Sequence, residues 1–338
     1  MLNKQLINPQ SIVIIGGSNN INKPGGKIVK NIIDGGYQGV LNVVNPKYNN
    51  IQGLPCFSSV NDIPKTDLAI LAIPAKDCLD AITILAKKKN TKAFIIISAG
   101  FGEANIIGKR IEKKITAVIN KVNGCLIGPN CIGVINKNYK GVFTSPIPKY
   151  SPDGCDLISS SGAIAVFIME SGTQLGVKFA NVYSVGNSAQ TTIEDILEHM
   201  DLHYNPSLNS PIKLLYLETI NNPEKLLKHA SSLIKKGAKK LIGTHDYSTF
   251  RSSSCHAKSP IKTIKSIKIK SSKNKIEIEF NSQSFLQQQV RSMVGCLKYL
   301  GEKKWDLKMF EKSFKSKKRI LCAPPAPPEG LFLARVIY

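Results

Sequence analysis

Four short, unbroken apolar runs limit what this chain can fold into. They occupy residues 11–15 (SIVII), 68–73 (LAILAI), 94–98 (FIIIS) and 126–128 (LIG). Each closes on turn-forming residues: Gly16-Gly17, Pro74, Ala99-Gly100 and Pro129-Asn130. A strand with one wet face alternates apolar and polar residues, whereas a strand that stays apolar is covered on both faces. Stretches of helical length separate the runs, at 27–35, 75–89 and 102–122. That order implies right-handed βαβ crossovers and a parallel sheet, hence an α/β fold. Ligands of such sheets gather beyond the carboxyl ends of the strands, where the glycines and asparagines lie.

A proline-rich link (Pro146, Pro148, Pro152) leads to a second α/β run. Strands are expected at 156–159, 182–185 and 212–218, and helices at 163–171, 191–200 and 223–236. After Lys240 the pattern changes. Residues 264–270 (IKSIKIK) and 275–280 (KIEIEF) read as alternating, amphipathic strands, as antiparallel strands with one wet face are. Residues 281–300 read as an apolar-striped helix packed through Phe285 and Val290, followed by APPAPPEG and a strand at 331–338. The expected domains are therefore 1–145, 150–236 and 241–338.

Charge divides the chain at the same place. The net charge is +23, of which residues 1–240 carry +11 and the last 98 residues +12. Nearly all the basic residues are lysine. A compositional drift accounts for the front, while the denser tail suits a polyanion-binding module. The eight cysteines show no CxxC and no Cys/His cluster with zinc spacing, so no metal is expected. Free buried thiols in a reducing cytoplasm are the default. No apolar run reaches the ~18 residues of a membrane-spanning helix, and residues 1–10 carry no signal- or transit-peptide pattern. No membrane partner is expected.

Gly16-Gly17-Ser18-Asn19-Asn20, followed by Pro24-Gly25-Gly26-Lys27, makes a glycine-rich loop before a helix. Such a loop can cradle a phosphate, and a tight turn without a ligand is the alternative. The strings SIVIIGGSNN, GGKIVKNI, VVNPKY, LAILAIPAKD, IIISAGFGE and LIGPNCIGVIN make residues 11–135 resemble a known module. It is the CoA-binding domain of succinyl-CoA ligase α subunits and ADP-forming acyl-CoA (acetate–CoA) synthetases. The resemblance implies a Rossmann-like fold and coenzyme A as cofactor. Gly16, Gly17, Ser18 and Asn19 would face the CoA phosphates, Asn45 and Lys47 the 3′-phosphate or adenosine, and Pro74 the pantetheine. A solvated Lys47 is the alternative. Residues 155–236 resemble the next, flavodoxin-like ligase domain through ISSSGAIA, YSVGNSAQTTIEDILEHM and LLYLETINNPEKLL. That likeness implies a phosphate site at Ser160, Ser161 and Gly162, with Glu218 as the acidic residue that contacts the family's phosphohistidine. A carboxylate that merely caps a neighbour is the alternative for Glu218. The family's Ser-His-Thr-Gly-Ala loop, which bears that histidine, has no counterpart here. His229 and His245 have other neighbours, so the ligase domain reads as truncated.

From Leu241 onward the chain resembles the C-terminal half of tRNA pseudouridine synthase A. LIGTHDYSTFRSSSCHAKSPIKTI, SFLQQQVRSMVGCL and APPAPPEGLFL carry the likeness. It implies an α+β half-domain with no cofactor and tRNA as partner. Arg291 would pair with the catalytic Asp, and Arg251, Lys258 and Arg319 would meet RNA. The Gly-x-His-Asp turn reads as a cap. The family's Arg-Thr-Asp-x-Gly-Val motif is missing; Asp153-Gly154 is the nearest form. Two families thus meet within a few residues, each without its key catalytic residue. The expectation is a composite of two truncated genes with little activity alone. The alternatives are a CoA-binding module or acyl-CoA ligase fragment, and a synthase half completed by a second chain or as a homodimer.

Overall fold

The computed structural model describes residues 2–145, 147–203, 212–272, 275–302 and 304–334. The chain divides into two compact units, residues 1–210 with 214–221, and residues 211–213 with 222–338.

The first unit opens with a short helix α1 (Lys4–Ile7), then β1 (Ser11–Ile15), α2 (Pro24–Asp34), β2 (Val40–Val44) and a small hairpin of β3 (Asn50–Ile51) and β4 (Leu54–Phe57). β5 (Leu68–Leu71), α3 (Ala75–Lys88), β6 (Ala93–Ile96), α4 (Ile106–Lys121) and β7 (Cys125–Ile127) follow. The sheet order is β3-β4-β2-β1-β5-β6-β7, parallel except for the β3–β4 hairpin. Its six parallel strands run third, second, first, fourth, fifth, sixth, the dinucleotide-fold order with its reversal between β1 and β5. The apolar strands are covered on both faces. Ile12 and Ile14 belong to one buried cluster and Val13 and Leu71 to the other.

The chain then moves to a second sheet through β8 (Gly133–Ile135) and β9 (Lys140–Val142). β10 (Tyr150–Ser159), α5 (Gly162–Gln174), β11 (Phe179–Ser184), α6 (Ile193–Leu202) and β12 (Ile212–Tyr216) complete it, in the order β12-β10-β11-β8-β9. β8 and β9 run antiparallel, so residues 133–142 belong to this sheet and not to the first. β10 begins inside the expected proline-rich link and is irregular around Gly154, where a Cβ would lie 2.6 Å from the Phe179 backbone. Pro146 lies outside the described residues.

The second unit contains α7 (Pro223–Lys239), β13 (Gly243–Asp246), β14 (Ile261–Ser272), β15 (Lys275–Ser282), α8 (Gln289–Gly301) and α9 (Leu307–Ser316). α7, read from sequence as part of the ligase-like region, ends in this unit's core. A Cβ on Gly237 would meet Leu300 at 2.3 Å, and Ala238 and Leu241 are buried. The sheet is the antiparallel β13-β14-β15. Its alternation holds from Ile267 onward, past an irregularity between Ile264 and Ser266: Ile267, Ile269, Ile276 and Ile278 pack on the core with Ile264, while Lys268 stands opposite Glu279 and Lys270 opposite Glu277. Two expectations need correction. The helix at 281–300 starts only at Gln289, because Ser282 still belongs to β15 and Gln288 adopts φ +61. Phe285 is therefore off the helix and 39% exposed. No strand forms over residues 331–334, and 335–338 lie outside the described residues. No described helix is long and apolar enough to cross a membrane.

Candidate functional sites

The carboxyl edge of the first sheet is built around Gly16. Its φ of +87 is a left-handed conformation that glycine adopts without strain, and a Cβ there would sit 2.5 Å from the Ala72 carbonyl oxygen. Helix α2 then approaches the loop closely. A Cβ on Gly25 would lie 2.0 Å from Gly16 O, and one on Gly26 2.1 Å from Asn20 O. Lys23, the N-cap of α2, makes no side-chain capping bond, and Pro24 occupies the first turn. The first turn of α2, at the positive end of the helix dipole, therefore has no side-chain cap.

Of the expected CoA-contacting residues, the structure gathers Gly16, Gly17, Ser18, Asn19 and Asn45. Asn45 donates from Nδ2 to Gly17 O at 2.8 Å and accepts from Lys47 N at 2.9 Å, so its amide shapes the loop. Lys47 is exposed. Pro74 is exposed as the N-cap of α3, two residues past Ala72. Gln52, not anticipated, donates to Ser18 O and Gly26 O, each at 2.8 Å, and accepts nothing from them. It ties the loop to the helix start, and only its place in a Gln-Gly turn hinted at it.

Ser160, Ser161, Gly162 and Glu218 also come together. Ser161 caps α5, accepting from Ile164 N at 3.4 Å, and Ser160 Oγ accepts from Glu218 N at 3.4 Å. They line a cavity of about 550 Å³ with Glu103, Asn130, Asn187 and Ser188. These last four were not singled out from sequence, although the strings IIISAGFGE and YSVGNSAQ contain three of them and LIGPNCIGVIN the fourth. Asn187 donates to Glu103 Oε2 and, at 3.1 Å, to Glu112 Oε2. Burial pushes the Glu103 carboxyl up, but the bonds from Asn187 and from Gly100 and Phe101 N–H outweigh it and hold it below its ordinary value.

In the second unit Arg291 lies on α8 and donates from Nε to Ala326 O at 2.7 Å, while Ala326 N donates back to Arg291 O at 2.9 Å. Arg251 donates to Cys255 O at 2.6 Å, and Arg319 to Ser292 Oγ at 2.7 Å. Both guanidinium groups therefore hold local structure, while Lys258 is exposed. No bond joins Arg251, Lys258 and Arg319 into one patch among the described residues. Lys315 and Lys317 pair with Glu311 and Asp246 at 3.6 and 3.3 Å. Asp246 accepts from Ser248 N at 2.9 Å, which makes it a turn cap. No described group of three or more His, Cys, Asp or Glu could hold a metal ion.

Three family models match the chain: a CoA binding domain over residues 10–137, a succinyl-CoA ligase like flavodoxin domain over 152–242, and tRNA pseudouridine synthase over 238–338. The chain is a composite of an ADP-forming acyl-CoA synthetase α-like part and a tRNA pseudouridine synthase A-like part. Its synthase A-like segment is 76% identical over 106 residues to tRNA pseudouridine synthase A of Pelagibacter ubique, covering 31% of this chain and 43% of that protein. Its ligase-like part is 32% identical over 236 residues to acetate–CoA ligase (ADP-forming) I of Archaeoglobus fulgidus, covering 69% and 33%. A crystal structure of a Pyrococcus horikoshii protein matches with TM-score 0.63 at 31% identity, over 69% of this chain and 52% of that one. A Korarchaeum cryptofilum dinucleotide-forming acetyl-coenzyme A synthetase matches with TM-score 0.62 at 25% identity, over 68% and 49%. The composite spans less than half the length of each of the two curated relatives named here.

Proposed function

We propose that the ligase-like part binds coenzyme A at Gly16, Gly17, Ser18 and Asn19, with Asn45, Lys47 and Pro74 at the margins, and an inorganic or acyl phosphate at Ser160–Gly162 beside Glu218. The observation that carries this reading is the cradle where α2 meets the loop, which leaves no room for a Cβ at Gly25 or Gly26. This close packing sets the uncapped first turn of α2 against the loop, where its backbone N–H groups would meet a pyrophosphate. When bound, CoA supplies a thiol that carries an acyl group. The chain's own contribution is to hold the phosphates and orient the thiol arm along the carboxyl edge. Without a Ser-His-Thr-Gly-Ala loop, no phosphohistidine relays phosphate, so the reading is CoA and phosphate binding without a complete ligase cycle. Calorimetry on the full chain tests it. Binding of CoA, weakened with 3′-dephospho-CoA, supports it; no heat at millimolar CoA overturns it.

A second reading concerns the synthase A-like segment. Arg291 fixes its Nε to Ala326 O, and its two terminal nitrogens have no protein partner among the described residues. A guanidinium held this way suits a carboxylate delivered by another chain. The segment would then bind tRNA and isomerise uridine only when a second polypeptide supplies the missing Asp. Both readings take a reducing cytoplasm as the setting. Tritium release from 5-tritiated uridine tRNA by the chain co-expressed with an N-terminal synthase half supports completion in trans. No release from the co-expressed pair rejects it.

A further inference from the structure

Helix α8 presents Arg291, Ser292, Gly295 and Cys296 to one neighbour, the segment 319–326. Spacings of one, four and five residues put these positions on a single face. The segment runs along that face as a strap. Arg319 Nη1 donates to Ser292 Oγ at 2.7 Å and to Cys322 Sγ at 3.3 Å. Cys322 Sγ lies 3.5 Å from Cys296 Sγ. A Cβ on Gly295 would sit 2.0 Å from Pro324 O, and Ala326 makes two bonds to Arg291. Cys296 is fully buried and Cys322 is half-buried; both are free thiols.

This is the arrangement of a reactive thiol with a second thiol behind it. The outer cysteine is only half-buried, and its sulfur carries a cation at hydrogen-bond distance, which favours its thiolate. The inner sulfur meets the outer one and the backbone of Ala323. The pair is also polarised: the hydrogen bond from Cys296, aided by Arg319 against burial, moves the Cys322 thiol down, and the same bond with burial moves Cys296 up.

We propose that Cys322 and Cys296 form a reversible dithiol–disulfide pair, a modification site for low-molecular-weight disulfides of the glutathione class. The Cys322 thiolate attacks one sulfur of the oxidised reagent; that S–S bond breaks and one reagent thiolate leaves. Cys296 then attacks Cys322 Sγ, forming the protein S–S bond and expelling the second reagent thiolate. The two protons released by the cysteines end on the two reagent thiols. Two protein thiols are oxidised to one disulfide, and one reagent disulfide is reduced to two thiols. The sulfurs close from 3.5 Å to the ~2.05 Å of a disulfide, a movement the strap absorbs on its exposed side, where Leu321 is 38% exposed. The bridge spans 26 positions and pins the strap that holds Arg291.

The test treats the full chain with oxidised glutathione under native conditions, then maps peptides by mass spectrometry. The expected product is a Cys296–Cys322 crosslink, two hydrogens lighter, with the half-buried Cys56 unmodified. Cys296→Ser and Cys296→Ala each trap glutathione on Cys322, and Cys322→Ser gives neither product. Arg319→Gln slows the first step at least tenfold, with folding checked by circular dichroism. A stable glutathione adduct on wild-type Cys322, modification at Cys56 in preference to Cys322, or an unchanged rate in folded Arg319→Gln overturns the proposal.

Discussion

Replacing Gly25 by alanine tests the cradle directly. The new Cβ would lie 2.0 Å from Gly16 O, whereas real Cβ atoms essentially never come within 3.0 Å of another heavy atom. Helix and loop must therefore part by about 1 Å. α2 cannot recede freely, because Ile28, Val29 and Ile32 are wholly buried beneath it. Overpacking of this kind costs about 1–3 kcal/mol. Alanine's better helix propensity returns under 1 kcal/mol in a first turn, leaving roughly 1–2 kcal/mol of destabilisation. That corresponds to a fall in Tm of about 2–8 °C for a unit of this size. The effect on binding is larger. A displacement of about 1 Å removes one charge-assisted hydrogen bond to phosphate, about 1.5–3 kcal/mol, or roughly a 10- to 150-fold rise in Kd for CoA. Calorimetry measures the Kd and differential scanning calorimetry the Tm. Gly36→Ala is the control: with φ +71 and nothing within 4 Å of its Cβ, it strains the backbone but leaves the cradle alone. Wild-type CoA affinity in a folded Gly25→Ala protein would refute the reasoning, as would equal losses in both variants.

Three further outcomes follow from the geometry. Asn31, buried in α2, donates to Val142 O at 2.6 Å and Thr144 O at 3.0 Å, so Asn31→Leu orphans two carbonyls and costs about 2–3 kcal/mol in urea unfolding; an unchanged midpoint contradicts this. The Glu103 carboxyl is held below its ordinary value, so its stabilisation is present above the unfolded pKa and is lost as pH falls through the lower folded value. Glu103→Gln should flatten acid unfolding in that window, and an identical acid profile by circular dichroism would count against it. Ser161→Ala removes a long 3.4 Å cap from α5 and should cost only about 0.5–1 kcal/mol, with phosphate binding weakened more than stability; the reverse ranking speaks against an anion site there.

Some of this was plain in the sequence and some was not. β1 is read to the residue, because five apolar positions ending in Gly-Gly have few other uses. The wet face of β14 and β15 is likewise legible from the alternation of 267–270 and 275–280, although the glutamates facing Lys268 and Lys270 temper its positive field. The helix expected at 281–300 failed at its start because Ser282 bonds Thr263 O across the sheet, a tertiary contact with no local signature. Residues 133–142 read as the tail of the first domain, yet pairing with β11 takes them to the second sheet. The cavity's Asn187–Glu103 link joins positions 84 apart, which no spacing rule reveals. Arg319, expected on RNA, is turned inward by Ser292.

Helix α7 carries a consequence for how the composite arose. The two family matches overlap at residues 238–242, at the end of one continuous helix. Each residue added or removed upstream would rotate everything after it by about 100° around the axis. Gly237 nevertheless meets Leu297 and Leu300 of α8, and Ala238 and Leu241 join the same buried cluster. A seam inside a helix is thus a phase problem as well as a reading-frame problem. Here the turn of the ligase-like part hands over to the synthase A-like part in step.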